Sequence, residues 1–477
     1  MYNYNQHLHF IGIGGVGMAG IAEVLLNLGY SLGGSDAKDG PLIQHLRRLG
    51  AQVEIGHRAE NVLPQTSVVV VSSAIQKENV EMQEALARKI PVISRAEMLA
   101  ELMRMKYGIA VAGSHGKTTT TSMTAKILVD CGFDPTVIIG GRLLSQTSGA
   151  SAGTGAYLVA EADESDGSFN LLRPAIAIVT NIDAEHLGHY GSFGALEEAF
   201  RQFMECVPFY GLVVACFDDP VVARLSRGLR RRVLSYGLST DCDISASDID
   251  VHSDGSEFTL HVNGKETGRV KIPLLGTHMV SNALAAIAVG LELGAFPNEA
   301  CTALRSFPGV ARRSEVLFHE DGITVIDDYA HHPREITATL SAIRRGWLSG
   351  KKRTDGVGDG ESDEGRLIVI FQPHRFTRTK ELFSDFLTCF GDADRLILTE
   401  IYPAGEPEIP GISGQALAAA VQHPYVTFTP NLQDILSSLV PKLRPGDVVI
   451  TVGAGSVSQL AHQISGILRE QRNVANH

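Results

Sequence analysis

The sequence predicts an α/β protein made of three open, mostly parallel α/β domains in series. Three observations lead there. Its 477 residues exceed what one ordinary core holds, and at roughly 150 residues per domain they suggest about three. Short apolar runs of strand length alternate with helical patterns along most of the chain, as β–α–β units require. Glycine is in excess, at 49 residues, and two of its clusters stand between a strand pattern and a helix pattern, where such folds turn.

The first domain is expected over residues 1–106. His9 to Ile13 reads as a strand and Met18 to Leu28 as a helix with apolar residues at helical spacing. Tyr30 to Gly34 is the next strand, ending at Ser35-Asp36. Val68 to Val71 is continuously β-branched, as a strand buried on both faces is, and runs into Ser72-Ser73. Pro91-Val92-Ile93 is a short strand before a helix from Arg95. A second domain is expected over 107–309. It opens with YGIAVAGSHGKTTTTSM, which is strand, glycine turn and helix. Ala156 to Ala160, Ile176 to Val179 and Val213 to Phe217 repeat the buried-strand pattern. Asp243 to Ile272 alternates without helices, like a small antiparallel sheet, and Val280 to Leu293 is a helix rich in small residues. The third domain, 310–477, carries strands at Ile323 to Ile326, Leu367 to Phe371, Arg395 to Leu398 and Val448 to Val452. The Gly350 to Gly365 run, rich in Gly, Asp, Glu and Ser, reads as a solvated external insertion.

Composition narrows the class of partner. With 41 Lys plus Arg against 53 Asp plus Glu, the formal charge is -12, which disfavours wrapping nucleic acid. Hydrophobic content of 44% and charged content of 20% exclude disorder and fibrous classes. The six cysteines, Cys131, Cys206, Cys216, Cys242, Cys301 and Cys389, are scattered and read as buried thiols of a reducing compartment. The opening MYNYNQHLHFIGIGGVG lacks a basic stretch followed by a long apolar one, and no run approaches 18 apolar residues. A cytoplasmic chain with no membrane insertion is the expectation.

The glycine loops carry the first chemistry. Gly12-Ile13-Gly14-Gly15-Val16-Gly17 follows a strand and opens a helix, so its backbone can approach a diphosphate at a helix N-terminus. Asp36 stands where an acidic residue would meet a ribose. The loop alone does not choose the nucleotide, and a plain tight turn is the bland alternative. Gly113-Ser114-His115-Gly116-Lys117-Thr118-Thr119 says more: loop N–H groups and Lys117 suit ATP phosphates, and the Thr118 hydroxyl suits Mg²⁺. Val111 occupies the place of the first glycine in the usual phosphate-loop pattern. Glu161, closing the neighbouring strand, adds a hard oxygen ligand. His186 follows another strand and reads as a metal ligand or a phosphate contact. Asp163-Glu164-Ser165 suits water-mediated roles or a helix cap. In the third domain Asp327-Asp328-Tyr329-Ala330-His331-His332-Pro333, and then His374, Arg375 and Arg378, follow strands. That clustering concentrates positive charge for an anionic substrate, and Arg312 and Arg313 at the domain junction extend it. An ATP-driven sensor would leave this third cluster idle, and a dinucleotide oxidoreductase would leave residues 113–119 unexplained.

Together these segments resemble the Mur ligases over nearly the whole chain, through IGIGGVGMAGIAE, GSHGKTTTT, EADESDGSF, NIDAEHLGHYG, FPGVARR, DDYAHHPREI, QPHRFTRT and IYPAGE. The resemblance implies a Rossmann-like first domain holding a UDP-sugar, a phosphate-loop ATPase centre with ATP and Mg²⁺, and a Rossmann-like C-terminal domain that takes the amino acid and closes. It implies joining L-alanine to UDP-N-acetylmuramate through an acyl phosphate, in peptidoglycan precursor synthesis. The alternative is a recycling member that joins a murein tripeptide to the same sugar nucleotide. It implies UDP-sugar contacts from Gly14, Gly15, Val16, Gly17, Ser35, Asp36, Ser72, Ser73 and Arg95, and Mg²⁺ ligands Thr118, Glu161 and His186. The ATP set is Gly113 to Thr119 with His278 and Asn282 on the adenine side, where Met279 replaces the family's middle asparagine. Arg313, Tyr329, His331, His374, Arg375 and Arg378 would meet the acyl phosphate and the amino acid, with His331 either a base or a positioning group. Lys117, His186, Arg313, His331 and Arg375 are the expected catalytic residues. The Gly453 to Val457 segment lacks the aspartate that the family commonly has after the glycine. A monomer or weak homodimer is expected.

Overall fold

The computed structural model describes residues 6–72, 74–139, 150–348 and 365–475. Three sheets account for the strands. The first holds β1 (His7–Ile11), β2 (Ser31–Asp36), β3 (Gln52–Ile55), β4 (Thr66–Val71) and β5 (Val92–Ser94), in the order β3-β2-β1-β4-β5. Its pairings are all parallel. Direction of winding reverses at β1, so the carboxyl ends of β1 and β4 form the crevice where open α/β sheets bind ligands. β1 stops at Ile11 because Gly12 turns with φ +79°, and the N–H groups of Gly12 and Ile13 both donate to the Ser35 carbonyl at 2.8 and 3.1 Å.

The second sheet contains β6 (Tyr107–Ala112), β7 (Thr136–Ile138), β8 (Ala150–Ser151), β9 (Tyr157–Glu161), β10 (Ile176–Val179), β11 (Leu212–Cys216), β12 (Val233–Gly237), β13 (Ile244–His252), β14 (Gly255–Val262) and β15 (Lys265–Ile272). The order is β15-β14-β13-β12-β11-β10-β6-β9-β7-β8. β6 therefore lies between β10 and β9, and winding reverses there too. The stretch expected as a separate small sheet instead extends this one, because β12 pairs with β13 in parallel through Tyr236 and Ile244. The third sheet holds β16 (Glu315–Glu320), β17 (Ile323–Asp328), β18 (Leu367–Phe371), β19 (Arg395–Leu398), β20 (Val426–Phe428) and β21 (Val448–Val452), in the order β16-β17-β21-β18-β19-β20. Only its edge pair, β16 with β17, is antiparallel.

The chain packs into two compact units: Met1–Asp248 with Phe258–Lys271 and Val280–Val310, and Ile249–Glu257 with Ile272–Met279 and Ala311–His477. The first sheet and most of the second share a unit because one apolar core runs through both. It joins Phe10 and Ile21 of the first to Ala110, Leu158 and Phe200 of the second. In the other unit the sheet is covered on two faces. Ile336, Leu340 and Phe371 belong to one layer, and Ile368, Leu460 and Ile464 to the other. All six cysteines are free thiols, but only Cys216, Cys242 and Cys389 are buried. The other three are half-buried, a milder burial than the sequence suggested. Among the described residues, no helix is long and apolar enough to cross a membrane. The Gly350 to Gly365 run lies outside the described residues apart from Gly365.

Candidate functional site

In the first sheet the glycine loop, the end of β2 and the residues after β3 and β4 enclose a cavity of about 860 Å³. Gly12, Gly14, Gly15, Asp36, His57 and Ser72 are among its walls. Asp36 braces the loop by accepting the Gly14 N–H at 2.8 Å. A Cβ on Gly14 would sit 2.9 Å from that carboxylate, so any larger residue would push Asp36 off this contact. Gly15 caps the helix Val16–Asn27 with no side-chain bond, leaving helix N–H groups for an anion. Gly17 packs against Arg95, whose Nη1 would lie 3.1 Å from a Cβ there. Val16 is exposed. Ser73 lies outside the described residues. Ser35 departs from expectation: it is fully buried, its hydroxyl donates to Glu81 at 2.6 Å and its oxygen lies 2.9 Å from His57 Nδ1. It is structural here, because β2 turns that side chain inward.

The second loop is clamped from the neighbouring strand end. Asn181 accepts the Ser114 N–H on its backbone carbonyl at 3.0 Å and the His115 N–H on its side chain at 2.8 Å. The Thr180 hydroxyl donates to the His115 carbonyl at 2.7 Å. Ser114 accepts the Asp183 N–H at 2.8 Å, and His115 Nε2 lies 3.3 Å from Asp183. Gly113 has φ +135°, and a Cβ on it would stand 2.0 Å from Thr180 Oγ1. Gly116, at φ +81°, begins the helix Lys117–Asp130 beneath Asn282, whose Oδ1 would be 2.6 Å from a Cβ. Asn282 thus lies on the phosphate loop. Thr118 is half-buried in the first helical turn, whereas the Thr119 side chain is buried.

Lys117 lies over this loop. Its Nζ donates to the carbonyls of Gly113 and Ser114 at 2.6 and 3.1 Å, and to Glu164 at 2.8 Å. Burial favours the neutral amine, but Glu164, Asp163 and Glu161 outweigh it and hold the lysine above its ordinary range. Burial pushes the Glu164 carboxyl up to about 7, against the pull of Lys117. Ligand atoms of Glu164, Glu185 and His186 all lie within 4.8 Å of one another. Two carboxylates and an imidazole at that spacing fit a divalent cation. Glu161 is not in this group: it ends β9 in register with Val111, and the following turn brings Glu164 back to Lys117. The sequence left Glu164 in a secondary role and passed over Glu185. Both stand in motifs already singled out, EADESD and IDAEH.

The other unit gathers the third cluster. Arg312 and Arg313 lie over the Tyr329 ring at 4.8 and 5.1 Å. Tyr329 meets His331 edge-on at 5.3 Å, and His331 lies 6.3 Å from His374. His374 stacks on Tyr402 at 5.5 Å, and its Nδ1 accepts from Arg378 at 3.3 Å. Burial, helped by Arg378 and Arg313 against Glu335, lowers His331 to about 3. Burial, Arg378 and Arg375 lower His374 to about 4. Both rings are neutral at neutral pH, so the arginines carry the positive charge. Arg375 adopts φ +70° and is half-exposed, 3.9 Å from Glu406. Arg312 differs from its neighbour, since its Nη2 donates to the Gly453 carbonyl at 2.6 Å. His278, half-buried, is lowered to about 4 by burial, with Glu335 opposing and Arg313 adding to it, and Met279 is buried. The arrangement brings Tyr329, His331, His374 and Arg378 together, with Glu335 and Tyr402 as partners the sequence did not single out.

Two glycine loops at winding reversals, a lysine–carboxylate–histidine site and an arginine-rich third sheet define a multidomain nucleotide-dependent α/β protein. Family models match in turn the Mur ligase family catalytic domain over residues 7–107, the Mur ligase middle domain over 111–290 and the Mur ligase glutamate ligase domain over 312–455. The chain belongs to the Mur ligase family. It is 47% identical to a UDP-N-acetylmuramate–L-alanine ligase of Geotalea daltonii over 98% of this chain and 100% of that one. It is 49% identical to another from Geobacter sp. strain M21, over 96% and 97%. Among solved structures it is similar to the UDP-N-acetylmuramate-alanine ligase of Thermotoga maritima, with TM-score 0.79, 27% identity and 98% and 100% coverage. The murein peptide ligase of Psychrobacter arcticus gives TM-score 0.69 and 26% identity, covering 97% and 99%.

Proposed function

We propose that this chain is an ATP-dependent carbon–nitrogen ligase that joins L-alanine to the lactyl carboxylate of UDP-N-acetylmuramate. The products are UDP-N-acetylmuramoyl-L-alanine, ADP and phosphate. The observation that carries the reading is 47–49% identity to ligases of that name over nearly the full length. On this reading residues 1–106 hold the UDP-sugar, 107–309 hold ATP, and 310–477 hold the amino acid and acyl phosphate. The protein works as a monomer or weak homodimer.

Gly14, Gly15, Val16, Gly17, Asp36, Ser72 and Arg95 hold the sugar nucleotide. Lys117 and the N–H groups of Gly113 to Thr118 neutralise charge on the transferring phosphoryl group, where fixed donors lower the barrier most. His186, Glu164 and Glu185, with Thr118 and with Glu161 at the neighbouring strand end, would hold a magnesium ion, which would add charge neutralisation at the phosphates. The sugar's carboxylate attacks the γ-phosphorus and ADP leaves; the neutral alanine amine then attacks the acyl carbon, phosphate departs, and the amine's surplus proton goes to that phosphate or to solvent. No protein nucleophile is required. Arg313, Arg375 and Arg378 hold the acyl phosphate, and Tyr329, His331 and His374 border the amino acid. Because His331 has a conjugate acid near 3, it is a poor acceptor for an ammonium proton. Its role is positioning. Asn282 meets the nucleotide at the phosphate loop, and His278 is the adenine-side residue.

The test is phosphate release from ATP with UDP-N-acetylmuramate plus L-alanine, run beside the murein tripeptide. Turnover with alanine is the expected result. Turnover with tripeptide alone would move the chain to peptide recycling, and no amine-dependent turnover would defeat the ligase reading.

A further inference from the structure

Beneath the first-sheet cavity lies a buried polar chain whose members come from four separate segments. Glu81 is fully buried, yet its two oxygens collect donors from every side. Oε1 accepts the Arg58 N–H at 3.1 Å and Asn61 Nδ2 at 2.5 Å. Oε2 accepts the Ser35 hydroxyl at 2.6 Å and lies 3.0 Å from His9 Nε2. Burial works to protonate this carboxyl, but His9, Ser35 and Asn61 hold it below its usual range. An ionised carboxylate only accepts hydrogen bonds.

That constraint propagates outward. Ser35 has spent its single hydroxyl proton on Glu81, so toward His57 its oxygen can only accept. His57 Nδ1, 2.9 Å from that oxygen and 3.7 Å from Glu81 Oε1, must carry the proton that fills the contact. In the neutral ring the other nitrogen, Nε2, then holds a lone pair. His57 is itself a wall of the cavity, and among the described residues its Nε2 has no hydrogen-bond partner.

We infer that His57 is the base-reading residue of the sugar-nucleotide cavity, held by Ser35 and Glu81 as an acceptor for the imide N3–H of uracil. Cytosine presents an acceptor at the same ring position, so two lone pairs would face each other and a cytidine nucleotide would be rejected. Glu81, Ser35, His9 and Asn61 are positioning residues that touch no ligand. This inference rests on the sugar-nucleotide reading of the cavity and adds to it the group that selects the base.

The test measures UDP and CDP binding to the full chain by calorimetry. Wild type should hold UDP tighter than CDP by on the order of ten- to a hundredfold, the usual worth of one desolvated hydrogen bond. His57→Phe should bring the two affinities to within about twofold, and Ser35→Ala should narrow the gap partway. A wild-type preference that survives His57→Phe, or equal binding of UDP and CDP by wild type, overturns the inference and leaves the sugar-nucleotide reading standing. Binding of neither nucleotide overturns both. Should the variants fail to fold, ¹⁵N shifts of the wild-type His57 ring decide. A protonated Nδ1 with a bare Nε2 supports the inference, and a protonated Nε2 overturns it.

Discussion

The two glycine loops are built alike and serve different ends. Each follows a parallel strand, turns on a glycine with positive φ and opens a helix beside a winding reversal. The first is braced by one carboxylate, Asp36, and opens on a wide cavity. The second is clamped by Thr180, Asn181 and Asp183, and a half-buried lysine paired with a buried glutamate lies over it. Backbone geometry makes both into anion sites. What the adjacent strand ends supply decides whether the anion is merely held or has its charge neutralised during reaction.

This contrast can be broken most directly at Lys117. Lys117→Ala should cut ligation by about a thousandfold or more, in kcat, since its charge acts on the transferring group. Circular dichroism should show the fold retained, and near-normal turnover would place ATP elsewhere. Gly113→Ala comes next. Its φ and the Thr180 contact predict a loss of about 3 kcal/mol in stability, read from urea unfolding. The cation site gives a pH test. Glu164 near 7 takes up a proton as pH falls below that value, and the proton competes with the metal. The apparent KM for Mg²⁺ should rise, approaching about tenfold per pH unit, and a flat profile from pH 8 to 5.5 would remove Glu164 from the site. In the first loop Gly15→Ala should leave stability within about 0.5 kcal/mol, because nothing lies closer than 3.6 Å to its Cβ. The KM for the sugar nucleotide should nevertheless rise about tenfold as the methyl enters the cavity. Smallest is His331→Asn. It should raise the KM for alanine about threefold without moving the kcat–pH profile between 5 and 8, because the ring stays neutral throughout that range.

Legibility followed burial. Ile176–Val179, Leu367–Phe371, Arg395–Leu398 and Val448–Val452 were readable residue for residue as runs that are apolar but for Arg395 and Thr451. Such runs are how strands covered on both faces look in sequence. Gln52–Ile55 was missed because only Val53 of its four residues is buried, which leaves no pattern to detect. The Lys117 loop was readable because its parts are contiguous. Glu164 and Glu185 were harder, because which of several acids in a motif turns toward the lysine depends on how each strand ends. The Ser35–Glu81–His57 chain left no local trace: its members lie 22 and 46 residues apart and meet only through sheet register.

The sequence by itself determined the alternation of strands and helices, the two phosphate-type loops and the family. Those rest on local chemistry: periodic burial, glycine's positive φ and residues adjacent in the chain. Tertiary structure alone decided that two sheets share one core, that Glu164, Glu185 and His186 converge, and that Ser35 faces inward while His57 faces the cavity. These depend on which strand ends become neighbours. Strand order and register set that, and no single segment encodes them.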